Sequence, residues 1–86
     1  DPDALYLNDV PVVRGFRALF ESVGKAKYPD DPIKGGLSVF GYPLAAERAT
    51  PFGSEQPFER VVLRWHRDTS PPFDVVVAHR HEQEAA

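Results

Sequence analysis

Three histidines, four serines and a scatter of carboxylates are the residues of this chain that could carry acid–base or nucleophilic chemistry. Ser22, Ser38, Ser54 and Ser70 all lack a nucleophile-elbow or Ser-x-x-Lys context, so none is marked for attack on a carbonyl. A histidine base would have to be His66, His79 or His81, and no neighbour is marked to orient any of them. Paired carboxylates for glycoside hydrolysis are defined by their separation in space, so the sequence leaves that chemistry open. His79-Arg80-His81 has the alternate spacing that puts two metal ligands on one strand face, but it lacks a third ligand. Asp30-Asp31 lacks the further oxygen ligands of a calcium loop. Gly35-Gly36 and Phe40-Gly41 precede the bulky Leu37 and Tyr42 rather than Lys-Ser or Lys-Thr, so they do not cradle phosphate. The expectation is a chain that is not itself an enzyme and that uses no cofactor or metal.

Binding chemistry has better candidates. Tyr28, Tyr42 and Trp65, with Tyr6, are amphipathic aromatics of the type that stacks on sugar rings or anchors an interface. Arg60, Arg64 and His66 fall on one side of an alternating strand and form a polar row able to reach hydroxyls or carboxylates. Each has a plainer alternative, core filling for Trp65 and a solvated sheet face for the row. The candidate binding residues are therefore Tyr28, Tyr42, Arg60, Arg64, Trp65 and His66.

The elements that must position them can be read from period and punctuation. Ala4 to Leu7 and Val10 to Val13 read as two short strands around an Asn8-Asp9 turn, with Pro11 confining its strand to an edge. Phe16, Leu19, Phe20 and Val23 share one helical face, and Gly24 reads as the stop. Lys25 to Lys34 reads as an exposed loop punctuated by Pro29 and Pro32. Gly35 to Leu44 holds three glycines, a proline and several large apolar residues. It reads as a shaped turn wedged in the core, with Phe40 and Tyr42 as plugs. Leu44 to Arg48 suits a short helical turn after Pro43, and Phe52-Gly53-Ser54 another turn. Phe58 to His66 is the strongest strand, with Val61, Leu63 and Trp65 on one face and a bulge near Glu59-Arg60. Phe73 to His79 is its antiparallel partner.

These pieces predict an α+β fold: one main helix packed on a short antiparallel sheet, with a Gly/Pro-rich wedge segment between. Eighty-six residues make a single domain with one modest core, about 4–79, and a frayed tail over 80–86. The net charge of −3 gives no electrostatic case for nucleic acid or an anionic membrane. No apolar run approaches the roughly 20 residues of a membrane span. Cysteine is absent, which removes disulfides and thiolate chemistry together. The chain opens on Asp1 without a methionine, as expected of a module excised from a larger protein. One asparagine, two glutamines, no methionine and nine prolines suggest a thermophile protein that works hot, although a high-GC genome gives a similar composition.

Taken together, GGLSVFGYPL, QPFERVVLRWH and PPFDVVVAH resemble a small repeat-like accessory module of secreted, multidomain bacterial proteins, many of them thermophilic. In that module a helix ending in Gly-Gly leads into Phe-Gly-Tyr-Pro, then a Gln-x-Phe-Glu-Arg strand, then a closing Asp-Val strand. It is also distantly similar to the Leu-Gly-Phe-Pro repeats of envelope-associated proteins. The resemblance spans roughly Val10 to His79, and its most specific pieces are Phe40-Gly41-Tyr42-Pro43 and Phe58-Glu59-Arg60. This chain departs from the pattern by inserting Lys25 to Lys34 before Gly-Gly. The resemblance implies a non-catalytic module beside a catalytic domain in the parent chain, as in phage-type lysins. It further implies secretion and binding of peptidoglycan or another glycan. The alternative is a structural or oligomerisation module. No ligand residues carry over from the resemblance.

Overall fold

The computed structural model describes residues 2–71 and 74–79. Strand β1 (Leu5–Leu7) and strand β2 (Val10–Val12) pair antiparallel, with Leu7 opposite Val10. Asn8 and Asp9 join them at φ of 50° and 65°. Two consecutive left-handed residues make the primed turn that matches strand twist, and Asn and Asp tolerate that region better than most residues. Tyr6 faces Pro11 in this two-stranded sheet, so the missing proline donor disturbs no further ladder.

Helix α1 runs over Arg14–Lys27 and buries Phe16, Phe20 and Gly24 along one side. It is longer than the apolar periodicity indicates, because Gly24 is an internal packing residue rather than a stop. A Cβ on Gly24 would land on the Pro32 carbonyl oxygen and lie 2.6 Å from the Gly36 nitrogen. Lys25 and Lys27 then occupy the last turn, where cations suit the helix dipole.

The segment expected to be a loop followed by a wedge turn is instead helix α2 (Pro32–Phe40). Asp31 caps it by accepting from the Lys34 amide at 3.1 Å, and Pro32 occupies the first turn. Gly35 and Gly36 lie inside this helix, where they admit the Gly24 backbone and the Phe20 ring. Glycine weakens a helix interior by roughly 1 kcal/mol relative to alanine, and here the close contact offsets that cost. Gly41, at φ 80°, ends α2.

The larger sheet has the order β3 (Arg48–Thr50), β4 (Gly53–Pro57), β5 (Val61–His66), β6 (Val75–His79), all antiparallel. The expected pairing of the last two strands is present. Phe73 and the tail over 80–86 lie outside the described residues. Three readings change. Leu44 to Arg48 is not helical: the Leu44 amide donates to the Pro57 carbonyl at 2.9 Å, and the chain bends at Leu44-Ala45 before entering β3. Gly53 to Pro57 is a strand rather than part of a turn; only Pro51 and Phe52 form that turn. Phe58 does not continue a bulged strand. Its amide donates to the Val61 carbonyl at 2.8 Å, closing the tight connection from β4 to β5.

The core joins both helices to both sheets through Leu7, Val12, Phe16, Phe20, Phe40, Phe58, Val61 and Leu63. Phe20, Phe40 and Phe58 form a triangle with ring centroids 5.7–6.1 Å apart. The α+β class read from the sequence is the class observed, with two helices rather than one.

The helix contact yields a paired prediction. Gly24→Ala drives a methyl into backbone and is expected to cost about 3 kcal/mol or more. Gly15→Ala meets only the Val75 Cγ2 at 3.4 Å and is expected to be neutral or stabilising by up to about 1 kcal/mol. Urea unfolding of both variants checks this, and equal destabilisation would contradict it.

Candidate functional site

The inner sheet face ends in a floor built by strand register. Ser54 on β4 and Val75 on β6 are the direct neighbours of Trp65 on β5. Trp65 packs against the core at its base and stays half-buried at the rim. The first turn of α1 supplies one wall, through Val13, Arg14, Gly15 and Phe16. Glu47, just before β3, and Asp74, just before β6, complete a cleft of about 420 Å³. That lies within the 300–1,000 Å³ range of small-ligand sites.

A second, more open hollow of about 440 Å³ shares Val13, Arg14, Glu47 and Ser54 with the first, and Tyr6, Arg48 and Ala49 are among its own lining residues. The Ser54 hydroxyl donates to Glu47 Oε2 at 2.5 Å, which holds that carboxylate on the shared rim. Arg14 stands beside it at φ 49°, in the left-handed region that non-glycine residues seldom occupy.

Gln56 sets the walls relative to one another. It is fully buried on the inner face of β4, and its Nε2 donates to the carbonyls of Pro11 and Ala45 at 3.0 Å each. One amide thereby ties β2 and the 43–47 segment to the main sheet.

The structure scatters the residues that the sequence nominated. Trp65 alone lies in the cleft. Arg64 and His66 are on the opposite sheet face, where Arg64 Nε is 3.6 Å from Glu55 and His66 stacks on Phe52 at 4.8 Å. Glu55 also holds Arg48 at 2.6 Å, so that face carries an arginine–glutamate–arginine row. Arg60 precedes β5 and does not join the row; its guanidinium donates to the Ser38 carbonyl at 2.7 Å, near the end of α2. Tyr42 is not a core plug, since the residue is 38% exposed while its backbone is clamped on both sides by Glu59. Tyr28 lies just past the C-terminus of α1, roughly 20 Å along the helix from the cleft, with Lys34 Nζ 5.0 Å above its ring.

Arg14, Glu47, Ser54 and Asp74 escaped the sequence reading because no motif joins them. Only the pairing of Ser54 with Trp65, and the return of the chain at residues 47 and 74, brings them together. Among the described residues no cluster of His, Asp or Glu could hold a metal ion, and no helix is long and apolar enough to cross a membrane. No family model, curated protein or solved structure matches the chain.

Gln56→Leu keeps side-chain volume but strands two buried carbonyls. The expected loss is about 1–3 kcal/mol, with a shift of Trp65 emission as the cleft wall relaxes. Denaturant unfolding and fluorescence of the variant measure both, and an unchanged midpoint would contradict the tethering role.

Proposed function

We propose that this domain is a non-catalytic glycan-binding module and that the Trp65 cleft is its binding site. The observation that carries this reading is a half-buried indole on the cleft floor, ringed by Glu47, Ser54 and Asp74. A pyranose offers an apolar C–H face to an aromatic ring and a girdle of hydroxyls to carboxylates and hydroxyls around it. The resemblance to accessory modules of secreted bacterial proteins supports cell-wall saccharide as the ligand, peptidoglycan above all. It also supports an extracellular setting beside a catalytic domain in the same chain.

A second reading, self-association, is favoured by β6. This strand ends the sheet among the described residues, and Val76 and Val77 are 43% and 40% exposed on its two faces. An apolar edge strand is a ready template for another strand. Sedimentation over a concentration range separates the two readings, because self-association predicts a dimer and indifference to glycans.

Retention on purified cell-wall sacculi tests the first reading. Trp65→Ala is expected to weaken retention about 30-fold, the scale of losing a central aromatic anchor. Trp65→Phe, which keeps the core contact, should lose less and retain its melting temperature. Wild-type protein that is retained no better than an inert control domain, or Trp65→Ala retained as well as wild type, would exclude the cleft as a glycan site.

A further inference from the structure

Resting on the glycan reading, we propose that the cleft recognises a saccharide bearing a carboxylate, and that Arg14 is the residue that takes it. The described arginines differ in one respect. Arg17 pairs with Glu21 and Arg48 with Glu55, Arg60 and Arg67 donate to the Ser38 and Pro51 carbonyls, and Arg64 lies 3.6 Å from Glu55. Arg14 alone has no acceptor among the described residues, although Glu47 and Asp74 line the same cleft. An arginine that stays open beside two carboxylates is available to an incoming anion, and its planar fork matches a carboxylate bidentately.

The position of Arg14 strengthens the case. It lines both hollows, on the rim where Val13, Glu47 and Ser54 are also shared. A ligand spanning the two lobes must pass this rim, so it is at least two sugar rings long and carries its acidic group near the junction. Glu47 and Asp74 then accept hydrogen bonds from hydroxyl or amide groups of the same ligand. The backbone adds a separate indication. Arg14 holds a left-handed φ that glycine would adopt without strain, yet its exposed side chain makes no hydrogen bond or ion pair that would repay the conformation within the described fold.

Two sources of the carboxylate share this chemistry, the lactyl group of a muramic-type sugar and the C6 acid of a uronic acid. Titration calorimetry with three oligomers resolves them: a muramyl tetrasaccharide with free lactyl groups, tetragalacturonate, and neutral chitotetraose. At least one acidic oligomer is expected to bind about tenfold tighter than chitotetraose at low salt, an advantage that shrinks as salt screens the contact. Whichever acidic oligomer leads identifies the source. In Arg14→Gln the ratio of acidic to neutral affinity should fall towards one, and Arg14→Lys should restore part of it. Arg14→Gly should raise the melting temperature while abolishing the same preference, which excludes unfolding as the cause. Neutral and acidic oligomers binding equally well, or a preference that survives Arg14→Gln, would overturn the carboxylate assignment while leaving the glycan reading intact. Failure of all three oligomers to bind would overturn both.

Discussion

The backbone-to-backbone contact of α1 and α2 is the constraint on which the other features depend. Gly24 lies against the Pro32 carbonyl and the Gly36 amide, and Gly35 against the Gly24 carbonyl, so the helices touch with no side chain between them. That proximity brings the Gly36 backbone onto the Phe20 ring and carries Phe40, four residues on, to within 5.7 Å of the same ring. A wider helix crossing would open the aromatic triangle, and a core this small has few other contacts to compensate. Gly24, Gly35 and Gly36, all inside helices, look like a defect in helix propensity. Their contribution is tertiary.

From that contact the packing continues into the sheet through a reciprocal clasp. Phe58 completes the triangle, and Glu59, the next residue, accepts from the Tyr42 amide at 2.8 Å while its own amide donates to the Tyr42 carbonyl. The Glu59 Cβ would stand 2.6 Å from a Cβ on Gly41, so glycine is required there for space as well as for its φ of 80°. Arg60 follows with its amide on the Phe40 carbonyl and its guanidinium on that of Ser38, filling acceptors that the end of α2 leaves open. Phe40-Gly41-Tyr42-Pro43 and Phe58-Glu59-Arg60 are thus two halves of one joint. Their spacing follows from the geometry of that joint.

This explains what was legible in the sequence. The Asn8-Asp9 hairpin, the apolar face of α1 and the β5–β6 pair all follow local period or turn chemistry, and they are present. Helix α2 was missed because Gly35-Gly36 and the prolines of the preceding segment read as breakers. The contrary signal, Asp31 before Pro32 as cap and first turn, was there to be weighed. Strand β4 was missed because Gly53-Ser54-Glu55-Gln56-Pro57 has no apolar alternation. Its polar Ser54 and Gln56 face inward, where the Ser54 hydroxyl donates to Glu47 and the Gln56 Nε2 to two backbone carbonyls. A buried polar side chain is disguised in sequence as a loop residue. The cleft was legible only in Trp65, since its other members meet through register.

The same division separates scaffold from site. The clasp and the glycine contact occupy the α2 side of the molecule, where the side chains of Glu59 and Arg60 are committed to backbone acceptors or donors. The cleft draws on the start of α1, the approach to β3 and the approach to β6, and Gln56 is the tether between its β2 and 43–47 sides. Substituting Arg14 or Asp74 breaks no hydrogen bond or ion pair of their side chains among the described residues. Substituting Phe58, Glu59 or Gly41 breaks several contacts at once. The joint therefore demands particular residues, whereas the rim tolerates different ones on the same frame. Substitutions on the rim can therefore reshape the cleft without loosening the joint between Phe40-Gly41-Tyr42-Pro43 and Phe58-Glu59-Arg60.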